Sequence, residues 1–159
     1  MNTKWKLKLP GSAKKGINTL LSDGTKIHSF LEKRFESENP SFSTWFKIFI
    51  FEENGGYFFN SKYTGLDGQA AGIGKSNGNK SRSVIVFKDP AQSTTPHELL
   101  HSMGLYHTFD NNGEYTFTIG QTDNIMDYSD IPDYSSPPKD QICTWRWQWD
   151  AIRPMLEAE

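Results

Sequence analysis

The chain has 159 residues, which favours a single domain with a substantial core, and its formal net charge of −2 with a pI near 6.1 shows no surplus of basic residues. Because its lysines and arginines are scattered, nothing in the charge pattern points to nucleic acid as a partner. The single cysteine, Cys143, excludes an internal disulfide framework and a cysteine-rich zinc site.

The N-terminal segment is charged and poor in apolar residues, so residues 1–8 do not resemble a signal peptide. Trp5, Leu7 and Leu9 alternate with lysines, a pattern typical of a short strand that ends at Pro10. The longest apolar runs of the chain are only a few residues, which predicts no membrane span.

Apolar residues at helical spacing follow, and they predict a helical region that backs the sheet. These residues are Ile17, Leu20, Leu21, Ile27, Leu31 and Phe35. The tripeptide SDG at 22–24 interrupts the pattern, which therefore indicates either one helix with a weak point or two shorter helices.

Several strands are predicted before the histidines. The segment TWFKIFIFE at 44–52 is β-branched and aromatic, and the turn sequence NGG at 54–56 predicts that it forms a hairpin with YFFNSKYT at 57–64. The segment AAGIGK at 70–75 is either a short edge strand or a flexible glycine-rich loop. The apolar run SVIVF at 83–87 predicts a buried strand.

Two helices are predicted in the second half of the chain, at 92–103 and at 138–156. Pro96 is tolerated only in the first turn of a helix, so the first of them should begin near residues 92–95. Helical spacing on the second predicts core packing, with Trp147 facing elsewhere, for Ile142, Trp145, Trp149 and Ile152. Strands and helices in this order predict an α+β domain.

Three of the four histidines lie in the sequence HELLHSMGLYH at 97–107. On a helix, His97 and His101 are about 40° apart around the axis and one turn apart along it, so both imidazoles can meet one cation. Gly104 can end the helix in a left-handed conformation and bring His107 back as a third ligand. Three imidazoles and a water form a tetrahedral zinc site with one open position, which is the catalytic arrangement.

Glu98 follows the first predicted ligand but does not share its face of the helix. It should lie toward the open position, where its carboxylate could accept a proton from zinc-bound water. A structural alternative exists, since Thr95 and Glu98 have the spacing of a capping box. The remaining histidine, His28, is isolated in the sequence, and we expect it to be structural or solvated.

The pattern H-E-x-x-H-x-x-G-x-x-H resembles that of the metzincin metallopeptidases, whose sequences also carry a downstream Met-turn. The segment DNIMDYSD at 123–130 places Met126 nineteen residues after His107. GLYHTF followed by NIMDYSD looks most like the pappalysin-type family among the metzincins.

This resemblance implies a metzincin-like zincin fold, with a twisted mixed sheet, a backing helix, an active-site helix and a small irregular C-terminal part that ends in a helix. Residues 1–104 and 105–159 would be the two subdomains of a single metallopeptidase domain. An edge strand would line the cleft and pair antiparallel with extended substrate, and AAGIGK at 70–75 is the candidate.

The resemblance also implies roles for individual residues. The three histidines would be the zinc ligands and Glu98 the general base, with Met126 as a hydrophobic floor beneath the ligands. Tyr128 matches a tyrosine that ligates zinc or stabilises the oxyanion in several metzincins, although a buried, hydrogen-bonded phenol would fit the sequence equally.

An acidic region after the histidines has the composition of a calcium loop. It comprises DNNGE at 110–114 together with Asp127, Asp130 and Asp133. The spacing does not match an EF-hand, so we expect a solvated loop, and calcium is the alternative.

The sequence therefore predicts a zinc-dependent endopeptidase with one catalytic zinc ion and a protein or peptide substrate. A zinc-containing protein-binding module without turnover is the alternative, and the intact Glu98 argues against it. Because an unguarded peptidase endangers the cell that makes it, we expect either a longer exported protein, of which this is the catalytic part, or a separate inhibitory partner protein.

Overall fold

A computed structural model describes residues 24–59, 62–71, 82–111, 115–128 and 140–157. The described elements are α1 (Gly24–Glu38), a 3-10 turn (Pro40–Phe42), β1 (Lys47–Ile50), β2 (Gly55–Phe59), β3 (Lys62–Leu66), β4 (Gly68–Ala70), β5 (Ser83–Val86), α2 (Thr94–Ser102) and α3 (Arg146–Leu156). Helices and a small mixed sheet make the chain α+β, as the sequence predicts. None of these described helices is long and apolar enough to cross a bilayer.

The central strand of the main sheet is β5, which pairs in parallel with β1 and antiparallel with β4. All four of its residues are buried, which confirms the strand predicted at 83–87. A mostly apolar run suits this position, because a central strand that is covered on both faces buries every one of its side chains.

Helix α1 packs on this sheet through a cluster formed by Ile27, Leu31, Ile85 and Phe87. His28 is fully buried in the same interface, and its Nδ1 lies 2.9 Å from Ser83 Oγ on β5. His28 is thus a structural residue, one of the two roles expected for it. The predicted helical residues 17–23 and the strand at Trp5 lie outside the described residues.

The predicted hairpin between residues 44–52 and 57–64 is wrong. Strand β2 pairs with β3, in the register Gly55↔Leu66 to Phe59↔Lys62, whereas β1 joins the other sheet. Gly55 is a strand residue and not part of a turn. A Cβ on Gly55 would lie 2.1 Å from Phe87 Cδ2, so glycine is required there for the close approach of an aromatic ring.

The three-stranded sheet has β1 at one edge and β4 at the other, and β4 shares only Ala70 with the predicted strand at 70–75. Ala71 follows as a bend, and residues 72–75 lie outside the described part of the chain. An edge strand is therefore present, but the described one lies two residues earlier than predicted.

The last helix begins at Arg146, eight residues later than predicted. Residues before it are extended, since Asn124 and Cys143 form a parallel bridge and Ile125 N–H donates to Cys143 O at 2.7 Å. This pairing uses backbone groups that a helix would need. Accordingly the core prediction fails for Ile142 and Trp149, which are 76% and 47% exposed.

A second core cluster lies beneath α2 and contains Leu100, Leu105, Met126 and Ile152. It joins α2 to the segment around Met126 and to α3. The core prediction for Ile152 is therefore confirmed, and this cluster is the support on which the histidine region rests.

Candidate metal centre

Helix α2 presents the first two histidines. It begins at Thr94, with Ser93 as the N-cap and Pro96 in the first turn, which confirms the predicted onset. Thr95 lies inside the helix and cannot act as its N-cap, so the capping box considered for Thr95 and Glu98 does not form.

The helix ends as the glycine predicts. Gly104 has φ of +103°, a left-handed conformation that side chains disfavour. Its N–H donates to His101 O at 2.9 Å, and Leu105 N–H donates to Leu100 O at 3.0 Å, so two carbonyls of the last helical turn are satisfied. The chain then turns back and brings His107 to the other two histidines.

The three imidazoles converge through their Nε2 atoms. His101 Nε2 lies 3.0 Å from His97 Nε2 and 3.0 Å from His107 Nε2. All three potential ligand atoms lie within 4.8 Å of one another. Among the residues that the structure describes, this is the one group of three or more histidine, cysteine or acidic side chains that is close enough to hold a metal ion.

The Nδ1 atom of each of these histidines has an oxygen partner. The pairs are His97 with Ile125 O at 2.7 Å, His101 with Leu105 O at 2.7 Å, and His107 with Asp110 Oδ2 at 3.0 Å. Carbonyl and carboxylate oxygens only accept hydrogen bonds, so each Nδ1 carries the proton and donates. In a neutral imidazole the Nε2 then presents a lone pair.

The lone pair on His101 Nε2 faces those of the other two histidines at 3.0 Å, and these lone pairs repel because no proton is left to share between them. A metal ion removes this repulsion, and tetrahedral zinc with Zn–N distances of about 2.0–2.1 Å would separate the nitrogens by about 3.3 Å. The observed separations of 3.0 Å come close to that spacing. The donor set therefore fits a metal ion, with acceptors behind each ligand of the kind that orient metal-binding histidines.

Burial keeps these histidines in the neutral, ligating form. It lowers the pKa of His97 to about 4 and the pKa of His101 well below its usual value. Burial also lowers the pKa of His107, against the opposing effect of the Asp110 carboxylate. Near neutral pH few protons would have to leave before a cation binds.

Tyr128 lies beside the three converging Nε2 atoms. Its hydroxyl is 2.9 Å from His107 Nε2, and its ring stacks on that of His97 at 5.7 Å between centroids. Phe109 stacks on the His107 ring at 4.6 Å between centroids and also adjoins the Tyr128 ring, at 5.2 Å. The Tyr128 hydroxyl is therefore within reach of an ion at the histidines or of a group bound to it.

Met126 is completely buried in the second core cluster. Its carbonyl accepts from Thr108 N–H at 3.0 Å, and the carbonyl of its neighbour Ile125 accepts from His97. Two backbone oxygens of this segment thus hold the site together: Ile125 O binds His97, and Met126 O binds Thr108, the residue after His107.

Glu98 is half-buried beside β4. Burial raises the pKa of its carboxyl group to about 7, although a hydrogen bond from the Ala70 backbone favours the ionised form. A carboxyl group with a pKa near the working pH is suited to accept and return a proton. The candidate base and the three candidate ligands therefore come from one helix and the turn that follows it.

Sequence reasoning missed the roles of two carboxylates in this region. Asp127 is buried, and its oxygens accept from the backbone N–H groups of Gly120, Thr122 and Tyr128, and from the Thr122 hydroxyl. Asp110 supports His107, and only its position three residues after that histidine hinted at this. Both were assigned to a solvated or calcium-binding loop, whereas Asp130 and Asp133 lie outside the described residues.

No protein-family model, curated protein or solved structure matches this chain.

Proposed function

We propose that this chain is a zinc-dependent endopeptidase of the metzincin type, closest to the pappalysin-type family. The observation that carries the proposal is the convergence of three histidine Nε2 atoms whose Nδ1 protons are all committed to oxygen acceptors. A purely structural zinc site is usually closed by a fourth protein ligand. Three ligands leave a position for water or substrate.

Zinc is the ion that this donor set favours. Three neutral imidazoles without a thiolate or a ligating carboxylate match the three-histidine catalytic zinc sites. Imidazole also suits copper, iron and nickel, so the metal requirement is part of the test.

His97, His101 and His107 would hold the zinc ion, which would supply a Lewis acid for the scissile carbonyl and would lower the pKa of a water at the open position toward neutrality. Glu98 accepts the proton of the attacking water and returns it to the leaving amine. The same carboxyl group thus serves in both steps of the proposed reaction. Tyr128 donates a hydrogen bond to the oxyanion of the tetrahedral intermediate.

Strand β4 is the proposed substrate-pairing edge. Asp67 O accepts from Phe87 N–H, so by strand alternation the backbone groups of Gly68 and Ala70 face away from β5. An extended peptide can pair antiparallel with the N–H and carbonyl of Gly68 and with the carbonyl of Ala70, whereas the Ala70 N–H donates to the Glu98 carboxylate. Such pairing would fix the substrate backbone along α2, on which Glu98 and two of the histidines lie.

The proposal is tested by removing all metal and restoring one metal at a time. Purified protein is incubated with a denatured protein substrate, then with a chelator, then with zinc, copper, nickel or iron. We expect cleavage to stop in chelator and to return with zinc. Zinc binding without any cleavage of denatured proteins would instead favour the protein-binding module.

A further inference from the structure

The Glu98 side chain lies against Gly68 of the edge strand β4. A Cβ built on Gly68 would lie 2.8 Å from Glu98 Cγ and 2.8 Å from Thr94 Cγ2. Heavy atoms of side chains do not approach a Cβ this closely, so any larger residue at 68 would displace one of them. Thr94 and Glu98 are four residues apart and share the face of α2 that meets β4.

The carboxyl end of Glu98 is held by the same strand. The backbone N–H of Ala70, two residues after Gly68, donates a hydrogen bond to the Glu98 carboxylate. This N–H points away from β5, because neighbouring strand residues alternate in direction and Asp67 bonds to β5. One short strand thus restrains both the stem and the head of the Glu98 side chain.

We infer that Gly68 is a positioning residue for the general base. By lacking a side chain it lets α2 approach β4 closely enough for the Glu98 carboxylate to reach the Ala70 N–H. This inference rests on the proposed function for its catalytic consequence. Its structural core, the coupling of positions 68 and 98, does not depend on any activity.

The variant Gly68→Ala tests the catalytic consequence, with Gly65→Ala as the matched control. A Cβ on Gly65, which lies in the hairpin strand β3, would meet nothing within 4 Å. We expect G68A to keep one zinc per chain and an unchanged KM while kcat falls roughly 10- to 100-fold, because a displacement of about 1 Å in a catalytic group can cost that much. G65A should match the wild type. The double variant G68A/T94S, which lacks the crowded Cγ2, should regain part of the lost kcat.

A double-mutant cycle in the melting temperature tests the coupling without any substrate. In Glu98→Ala the Cγ atom is absent, so adding G68A should lower the Tm less than it does in the wild type. An equal Tm loss in both backgrounds, or a G68A enzyme with wild-type kcat, would overturn the inference. If G68A is insoluble, solubility of G68A/E98A supports the coupling, and insolubility of both variants contradicts it.

The cycle also separates this inference from the proposed function. If the cycle shows coupling but the wild-type protein cleaves nothing, the peptidase proposal is refuted and the positioning of Glu98 by Gly68 stands. An uncoupled cycle in an active wild-type peptidase would refute the positioning role alone.

Discussion

Replacement of Asp110 should weaken metal binding even though Asp110 is not a ligand. Its Oδ2 accepts from the His107 side chain Nδ1 at 3.0 Å and from the His107 backbone N–H at 3.1 Å. The carboxylate therefore fixes both the ring orientation and the tautomer of His107, and it increases the electron density on Nε2. Loss of such a partner typically costs 10- to 100-fold in metal affinity, or about 1.4–2.7 kcal/mol.

This loss can be measured in two ways. Competition with a chromophoric chelator should give a zinc Kd about 10- to 100-fold higher for Asp110→Ala. In zinc well above both Kd values the ligand-linked stabilisation falls by the same free energy. At about 2–4 °C per kcal/mol for a chain of this size, the Tm in zinc should drop about 3 to 11 °C further than in chelator.

Two companion variants sharpen the experiment. Asp110→Asn keeps an oxygen acceptor but loses the charge, so its Kd should lie between those of wild type and D110A. Asp150→Ala removes an exposed carboxylate that pairs with Arg153 on α3, and it should leave zinc affinity unchanged. A folded D110A protein with wild-type zinc affinity would show that Asp110 does not support the centre.

Three further predictions concern single side chains. His101→Ala removes the central Nε2 of the cluster and should lose most bound zinc and melt lower in zinc than wild type; stoichiometric zinc in this variant by elemental analysis would refute the ligand assignment. Tyr128→Phe should keep its zinc and its KM while kcat falls about 10²–10³-fold, as for loss of one oxyanion donor, and an unchanged kcat would reduce Tyr128 to packing. Burial lowers the pKa of His28 from 6.5 to about 4, so between these values the unfolded chain binds a proton that the folded chain does not, and stability is lost as the pH falls through this window. His28→Gln should remove up to about 3 kcal/mol of the difference in the free energy of unfolding between pH 7 and pH 4. Urea unfolding of the metal-free variant and wild type at both pH values measures this difference, and the same pH dependence in both proteins would contradict the prediction.

The parts of the site that the sequence predicts are those set by local geometry. The spacing of His97 and His101 fixes their common face once the helix forms, and a glycine at 104 fits the left-handed turn. The supports behind the ligands are carbonyls of distant chain segments, such as Ile125 O, and carbonyls have no sequence signature. The role of Asp127 could not be predicted for the same reason, because it depends on which backbone N–H groups of the loop lie near its carboxylate.

The errors in the fold have a related cause. The sequence NGG at 54–56 has the composition of a turn, yet Gly55 accommodates the ring of Phe87, which is 32 residues away. Ile142 continues a helical pattern, but its backbone N–H donates to Asp123 O at 3.0 Å, next to the Met126 segment. In both cases a tertiary contact outweighs the local preference.

The central claim is that the three histidines hold a catalytic zinc and that Glu98 transfers the proton. It is tested most directly by measuring zinc content and cleavage of a denatured protein for wild type and Glu98→Ala in parallel. We expect one zinc per chain in both proteins, with turnover by the variant reduced about 10²–10⁴-fold or more, because positioned proton transfer is lost in both halves of the reaction. Cleavage by Glu98→Ala at the wild-type rate, or wild-type cleavage that persists after all zinc is removed, would contradict it.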